Sequence, residues 1–239
     1  IINAGDGNNI IDAGGDNDTI TSGVGDDTIN AGDGDDTVNS GRGIDTIQGG
    51  DGIDTIKAGG GDDNIAGGLG DDVLYGEQDN DTIEGNEGDD LIYGGDGSDT
   101  LSGGAGDDRL EAGGGITNIL SGESGEDTLI GGSGADTIRG GDDTDTISGA
   151  AGDDTLSGDS GDDVISGGDG NDFIYGGSGI DTIQGGSGND VIWGSQGADI
   201  LSGGSGSDTF SFGSAAYLSL PDTITDFSAG AGGDKLDLN

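Results

Sequence analysis

The chain has 239 residues, 60 of them Gly and 1 Pro, with neither Cys nor His. Its 50 acidic residues against 5 basic ones leave a formal charge of −45, which repels nucleic acid and anionic membrane surfaces alike. The missing Cys and His exclude a disulfide framework, thiolate metal sites, and the commonest zinc ligand and general base, and no apolar stretch approaches the roughly 18 residues that a membrane-spanning helix needs. Low hydrophobicity with such a charge ordinarily specifies disorder. The order of the residues argues otherwise.

At the N-terminus, Ile2 already falls on the apolar phase of a repeat, so the pattern is expected to continue upstream of Ile1, or the chain to be an excised piece; no signal peptide opens it. Asp then recurs at every ninth residue from 18 to 108, with Asn9 in the same phase one repeat earlier. The phase slips by one residue through Gly113, Gly114, Gly115, Ile116 and Thr117, Asn118 takes the Asp position, and the series resumes from 127 to 208. Two residues after each position sits an apolar side chain, from Ile20, Ile29 and Val38 to Ile192 and Leu201, with Phe210 closing the series. Gly stands four and two residues before most of the Asp positions, and Gly, Ala or Ser five before. The unit is G-G-x-G-x-D-x-U-x, with U a large aliphatic, repeated 23 times.

The triplet around each U suits a very short strand, in which alternation turns U inward and its neighbours outward. Thr commonly precedes U, as at Thr19, Thr28 and Thr37, and is a good strand former. The six residues between triplets must reverse the chain, which their glycines permit. Two nonapeptides then make one 18-residue turn with a strand on each side, and turns stack at about 4.8 Å.

Twenty-three copies in phase resemble the RTX (repeats-in-toxin) family, over residues 3–210. The resemblance implies an all-β fold: a right-handed parallel β-roll or β-helix solenoid, two nonapeptides per turn, in which carboxylates and loop carbonyls of successive turns share calcium ions. Ligand chemistry points the same way. The available donors are hard oxygens, and calcium takes six to eight of these in flexible geometry, whereas magnesium demands a strict octahedron. One buried aliphatic per nine ordered residues cannot offset the backbone entropy, and stacking sets the acidic positions in file, where like charges repel. A divalent cation between turns reverses that repulsion.

Two columns of metal-ligating candidates follow from the 18-residue turn. One holds Asp18, Asp36, Asp54, Asp72, Asp90, Asp108, Asp127, Asp145, Asp163, Asp181 and Asp199. The other holds Asp27, Asp45, Asp63, Asp81, Asp99, Asp136, Asp154, Asp172, Asp190 and Asp208, with Asn9 and Asn118 in the same file. The gaps admit at most about 21 calcium ions between turns. The acidic residue just before each position (Asp26, Asp35, Asp62, Asp71, Asp107, Asp153, Asp162) reads as a solvated loop residue, with a supporting role at the site as the alternative.

Several loops depart from the unit. Asp16, Asp79 and Asp143 replace the second loop Gly, while Glu77, Asn86, Glu123, Ala150, Asp159 and Ser195 replace an earlier one. At Ile116–Thr117–Asn118 the Gly and the carboxylate are both lost, which predicts a vacant or distorted site with the inserted residue bulging from the loop. Tyr75 and Tyr93, like Tyr175 and Trp193, are 18 apart and follow U, so each pair is expected to stack outward on adjacent turns, as a cross-strand ladder or a sugar platform. An outward Thr file raises ice binding, but the irregular Val24, Arg42, Leu69, Gln78 and Glu87 leave no uniform face.

After Phe210 the nonapeptide stops, which divides the chain into a calcium-binding β-roll, 1–210, and a C-terminal cap, 211–239. The stretches Asp222–Phe227 and Asp234–Leu238 resemble the segment that follows β-rolls in proteins exported by type I secretion. That resemblance implies a secreted or cell-surface module that folds on calcium outside the cell and serves the export of an upstream passenger, with the type I secretion machinery as partner. A structural rod or spacer of a bacterial adhesin or surface layer is the alternative, and self-association and sugar contact stay open. Catalysis is not expected within this chain: G-x-S-x-G and phosphate-loop motifs are absent, and any catalytic domain would lie upstream.

Overall fold

A computed structural model describes residues 1–212, 221–230 and 232–238. Residues 213–220, 231 and 239 of the predicted C-terminal segment lie outside the described residues. The chain is all-β, with no helix among the described residues, and forms two compact units, 1–119 and 120–239.

In the first unit every strand pairs in parallel with the strand 18 residues away. One sheet takes alternate strands such as Thr19–Val24, Thr37–Arg42, Thr55–Gly60, Val73–Gln78 and Leu91–Asp96. The other takes those between, including Thr28–Asp33, Thr46–Asp51, Asn64–Leu69 and Thr82–Glu87. The second unit repeats the arrangement, with Thr146–Ala151, Val164–Asp169 and Thr182–Ser187 in one sheet and Thr155–Ser160, Phe173–Ser178 and Val191–Gln196 in the other. This is the expected parallel solenoid with two nonapeptides per turn.

Each U residue from Ile11 to Phe210 is buried, and those from Ile20 onward are no more than 2% exposed. Their registers are aligned, with Ile20 beside Val38 and Ile174 beside Ile192, so each unit has a continuous aliphatic file at its centre. The strands are longer than the predicted triplet. Thr19–Val24 has six residues, and only Gly25, Asp26 and Asp27 separate it from Thr28–Asp33. The reason lies in the inward face. Alternation buries U and also the residue two further on, as with Ile20 and Ser22, and the ladder then resumes at Gly23 with Gly41 and Val24 with Arg42. That second inward position is the one the sequence keeps as Gly, Ala or Ser.

The loops require positive φ at the two positions where Gly predominates. All nine non-Gly replacements keep it: Asp16, Glu77, Asp79, Asn86, Glu123, Asp143, Ala150, Asp159 and Ser195 lie at φ 69–85°. The loop path is therefore held at the cost of left-handed strain in L residues. Ala150, at φ 74°, has no side-chain polar group to compensate. The substitution Ala150→Gly is expected to raise stability by about 1 kcal/mol in saturating calcium, after the extra unfolded-state entropy of Gly is allowed for. Denaturant unfolding of the two proteins side by side measures it.

The aromatic pairs behave differently from each other. Tyr75 and Tyr93 stack as expected, with centroids 5.1 Å apart and planes 9° apart, and Lys57 Nζ lies 5.2 Å from the Tyr75 ring centroid. Trp193 instead packs edge-on against Phe173 at 4.4 Å. Phe173, the residue before U on the neighbouring strand, offers the Trp a T-shaped contact.

Candidate metal centre

The six-residue strands deliver each in-phase Asp at the end of a three-residue connection, where its side chain turns back under the loop. Every one except Asp18 is buried, at 0–3% exposure. Rows of buried carboxylates are exceptional, because burying an unpaired charge is costly.

One oxygen of each carboxylate has a clear structural task. Asp36 Oδ1 accepts a hydrogen bond from the backbone N–H of Asp18, Asp54 Oδ1 from Asp36, and Asp72 Oδ1 from Asp54. The same bond recurs through both units at 2.6–3.0 Å, for example from Asp145 N to Asp163 Oδ1 and from Asp190 N to Asp208 Oδ1. Each Asp thereby straps its own turn to the one before.

The other oxygen is orphaned. In seventeen of these residues (Asp27, Asp36, Asp45, Asp54, Asp63, Asp72, Asp81, Asp90, Asp99, Asp145, Asp154, Asp163, Asp172, Asp181, Asp190, Asp199 and Asp208) Oδ2 is buried without a hydrogen-bond partner. Its surroundings are acceptors. A methyl carbon placed on Gly149 would collide with Asp154 Oδ2 and lie 2.7 Å from the carbonyl oxygen of Gly167. Gly176 shows the same cradle with Asp181 Oδ2 and Gly194 O, and Gly185 with Asp190 Oδ2 and Gly203 O. The small inward residue leaves a space lined by a carboxylate oxygen and a carbonyl oxygen, with no donor between them.

Electrostatics records the strain. Burial pushes the carboxyl of Asp63 up to about 7, against a hydrogen bond from the backbone of Asp45, and the carboxylates of Asp45, Asp62 and Asp79 add to the rise. Asp72, Asp81, Asp145 and Asp181 are likewise pushed up to about 7, in each case chiefly by burial. No Lys or Arg is among the charges that act on these five groups. The N-terminus pairs with Asp18, Arg109 with Glu111 and Arg139 with Asp159, none of them in the buried set.

The donor set fits a hard divalent cation. It offers ionised carboxylate and backbone carbonyl, without nitrogen or sulfur. Among the described residues no three acidic side chains gather at one point, so backbone carbonyls must supply much of any coordination shell. Calcium accepts such mixed, irregular oxygen shells.

Two groups were not legible as functional from the sequence. The acidic residues just before the in-phase Asp form a second strap in the opposite direction. Asp26 Oδ1 accepts from Ile44 N, Asp62 Oδ1 from Asn80 N, Asp71 Oδ1 from Asp89 N and Asp162 Oδ1 from Ile180 N, at 2.7–3.0 Å. They are exposed yet tie turns together, the supporting role that stood second to solvation in the sequence. Asp222 and Asp234 extend the inner straps beyond the nonapeptides. Asp222 Oδ1 accepts from Asp199 N and Asp234 Oδ1 from Asp208 N, both at 3.1 Å. Thr223–Ile224 and Lys235–Asp237 add parallel strands that set Ile224 beside Leu201 and Leu236 beside Phe210. The signal was present as D-T-I and D-K-L, matches to D-x-U, but at spacings of 23 and 26 residues in place of 18.

The RTX calcium-binding nonapeptide repeat matches the chain in overlapping stretches that begin with 1–29 and 12–47 and end with 148–183 and 175–210, together spanning 1–210. No curated protein matches it. With that match on top of a parallel roll lined by oxygen cradles, the chain belongs to the RTX family of calcium-binding repeats, folded as a β-roll.

Proposed function

We propose that this chain is a calcium-driven folding module, which condenses outside the cell and serves the export of a type I-secreted protein. The in-phase Asp residues, from Asp18 to Asp208, hold the ions together with loop carbonyls. Residues 1–210 form the calcium-dependent roll and 211–239 its cap. The observation that carries the reading is the file of orphaned, buried Oδ2 atoms facing carbonyl oxygens. Such a file is tolerable only with cations among the oxygens. Where calcium is scarce, repulsion among these groups keeps the chain extended and able to pass a narrow channel. Where calcium is plentiful, binding free energy becomes folding free energy. The pairing of Thr223–Ile224 and Lys235–Asp237 with the last full strands supports the cap, since it covers edges that would otherwise be open to other chains.

The test is a calcium titration of the full chain by far-UV circular dichroism. The β signal is expected to appear with a steep midpoint in the millimolar range of sensor-weak extracellular sites. Folding complete at micromolar calcium would remove the export reading, because the chain would already be folded before it reached the channel.

A further inference from the structure

Two of the in-phase positions carry Asn instead of Asp, and their geometry differs in one telling respect. Asn118 is fully buried. Its Oδ1 accepts the backbone N–H of Asp99 at 2.9 Å, the task that Asp Oδ1 performs elsewhere. Its Nδ2, which replaces the second oxygen, donates to the carbonyl oxygen of Gly114 at 3.1 Å. Asn9 repeats the arrangement, with Nδ2 donating to Gly5 O at 2.9 Å and Gly7 O at 2.6 Å. In the Asp loops the second side-chain atom is an acceptor that shares its cradle with another acceptor, as Asp154 Oδ2 does with Gly167 O; in the Asn loops it is a donor, bonded to carbonyls of its own loop.

The insertion beside Asn118 is accommodated without spoiling this. Gly113 still pairs with Gly95, and a methyl carbon placed on Gly115 would still collide with Gly97 O, so the first part of the loop keeps the 18-residue register. Ile119 N then donates to Asp99 O at 2.9 Å, one residue later than the equivalent bond from Thr82 to Asp63. The extra residue therefore lies at Ile116–Thr117, and Ile116 points outward at 81% exposure. The predicted bulge is real, and Asn118 keeps the buried position of the repeat beneath it.

We infer that Asn118 seals its loop without a metal: the side-chain amide does for the loop carbonyls what a cation does in the Asp loops. The chain thus contains two kinds of turn, one that requires calcium and one that is complete in its absence. This turn orders first as calcium rises and gives the Asp loops a formed edge on which to stack. The inference rests on the calcium-folding reading of the Asp loops.

Hydrogen exchange of the full chain across a calcium series tests it. At calcium below the folding midpoint, the amides of Asp99 and Ile119 are expected to exchange about fivefold to tenfold more slowly than those of Asp45 and Asp54, the advantage of one satisfied hydrogen-bond set. In Asn118→Asp that advantage disappears at low calcium and full protection returns at high calcium. In Asn118→Ala it disappears at every calcium concentration, because neither amide nor carboxylate remains. Conversely, Asp145→Asn should confer low-calcium protection on the amide of Asp127, which donates to Asp145 Oδ1. Equal protection of Asn118 and Asp loops at every calcium level, or undiminished low-calcium protection in Asn118→Asp, overturns the inference while leaving calcium folding intact. Loops that exchange alike whether calcium is present or not would overturn the folding reading itself.

Discussion

In excess chelator at neutral pH the chain is expected to lose its β-sheet far-UV spectrum and to expand toward the radius of gyration of about 50 Å for an unfolded chain of this length. Restoring millimolar calcium should recover the spectrum fully. The expectation follows from the balance within one turn. Each nonapeptide buries one large aliphatic and orders nine residues, which leaves too little hydrophobic gain to offset the entropy. Seventeen of them also bury a carboxylate whose second oxygen has no donor, and an ionised group left so is costly. Calcium acts on that cost directly. A ligand that binds only the native state adds RT ln(1 + [L]/Kd) per site, so seventeen sites at a concentration equal to their dissociation constant add about 7 kcal/mol, the size of a whole domain's margin. Because the sites are filled together, the transition should be steep in calcium. Circular dichroism with small-angle scattering on the same samples decides it: a chain equally compact and β-rich in chelator and in calcium would leave the orphaned oxygens without an explanation.

Much of this was visible in the order of the residues, for physical reasons that can be named. A period of nine fixes which side chains share a phase, so the buried aliphatic file of each unit and the register of its Asp residues needed no coordinates. The period does not say how far a strand runs. The triplet underestimated it because the small residue after U, such as Ser22, also turns inward and was indistinguishable from a loop residue. Nor does it say which atom meets which. Asp26 and Asp27 are adjacent, both acidic and equally periodic, yet Asp27 reaches back a turn to receive Asn9 N and Asp26 reaches forward to receive Ile44 N. Asp222 and Asp234 stand in stretches that the sequence sets apart as a cap, but their part in the inner straps is masked by longer connections, which bring the strand 23 and 26 residues on in place of 18. At Asn118 the sequence marked the lost carboxylate and the extra residue, but not that the side-chain amide would bond Gly114 O in its own loop, because the period carries no information on which atom of a side chain is a donor.

Removing calcium by dialysis and lowering the pH to about 4 should refold the chain, because protons can take the place of the cations. Burial is the main cause of the raised carboxyls, with Asp63, Asp72, Asp81, Asp145 and Asp181 pushed up to about 7 and Asp54, Asp90, Asp154, Asp172 and Asp199 to about 6. Backbone N–H groups of the preceding turn oppose the rise, and neighbouring carboxylates reinforce it. A group whose pKa is higher in the folded than in the unfolded chain binds more protons when folded. Its contribution is therefore complete below the unfolded value near 4 and is lost as the pH climbs through 6 to 7. The rise from 3.8 to about 7 at a single buried carboxyl withdraws on the order of 4 kcal/mol by neutral pH, so a few such groups suffice to unfold a domain. Calcium reverses the slope. Bound ions hold the carboxylates ionised, which makes the folded state the poorer proton binder, so in millimolar calcium stability should fall as the pH falls. Two pH series at micromolar protein, one calcium-free and one in millimolar calcium, should cross. Parallel series, both gaining stability with rising pH, would mean that the buried carboxyls are already neutralised by something within the chain.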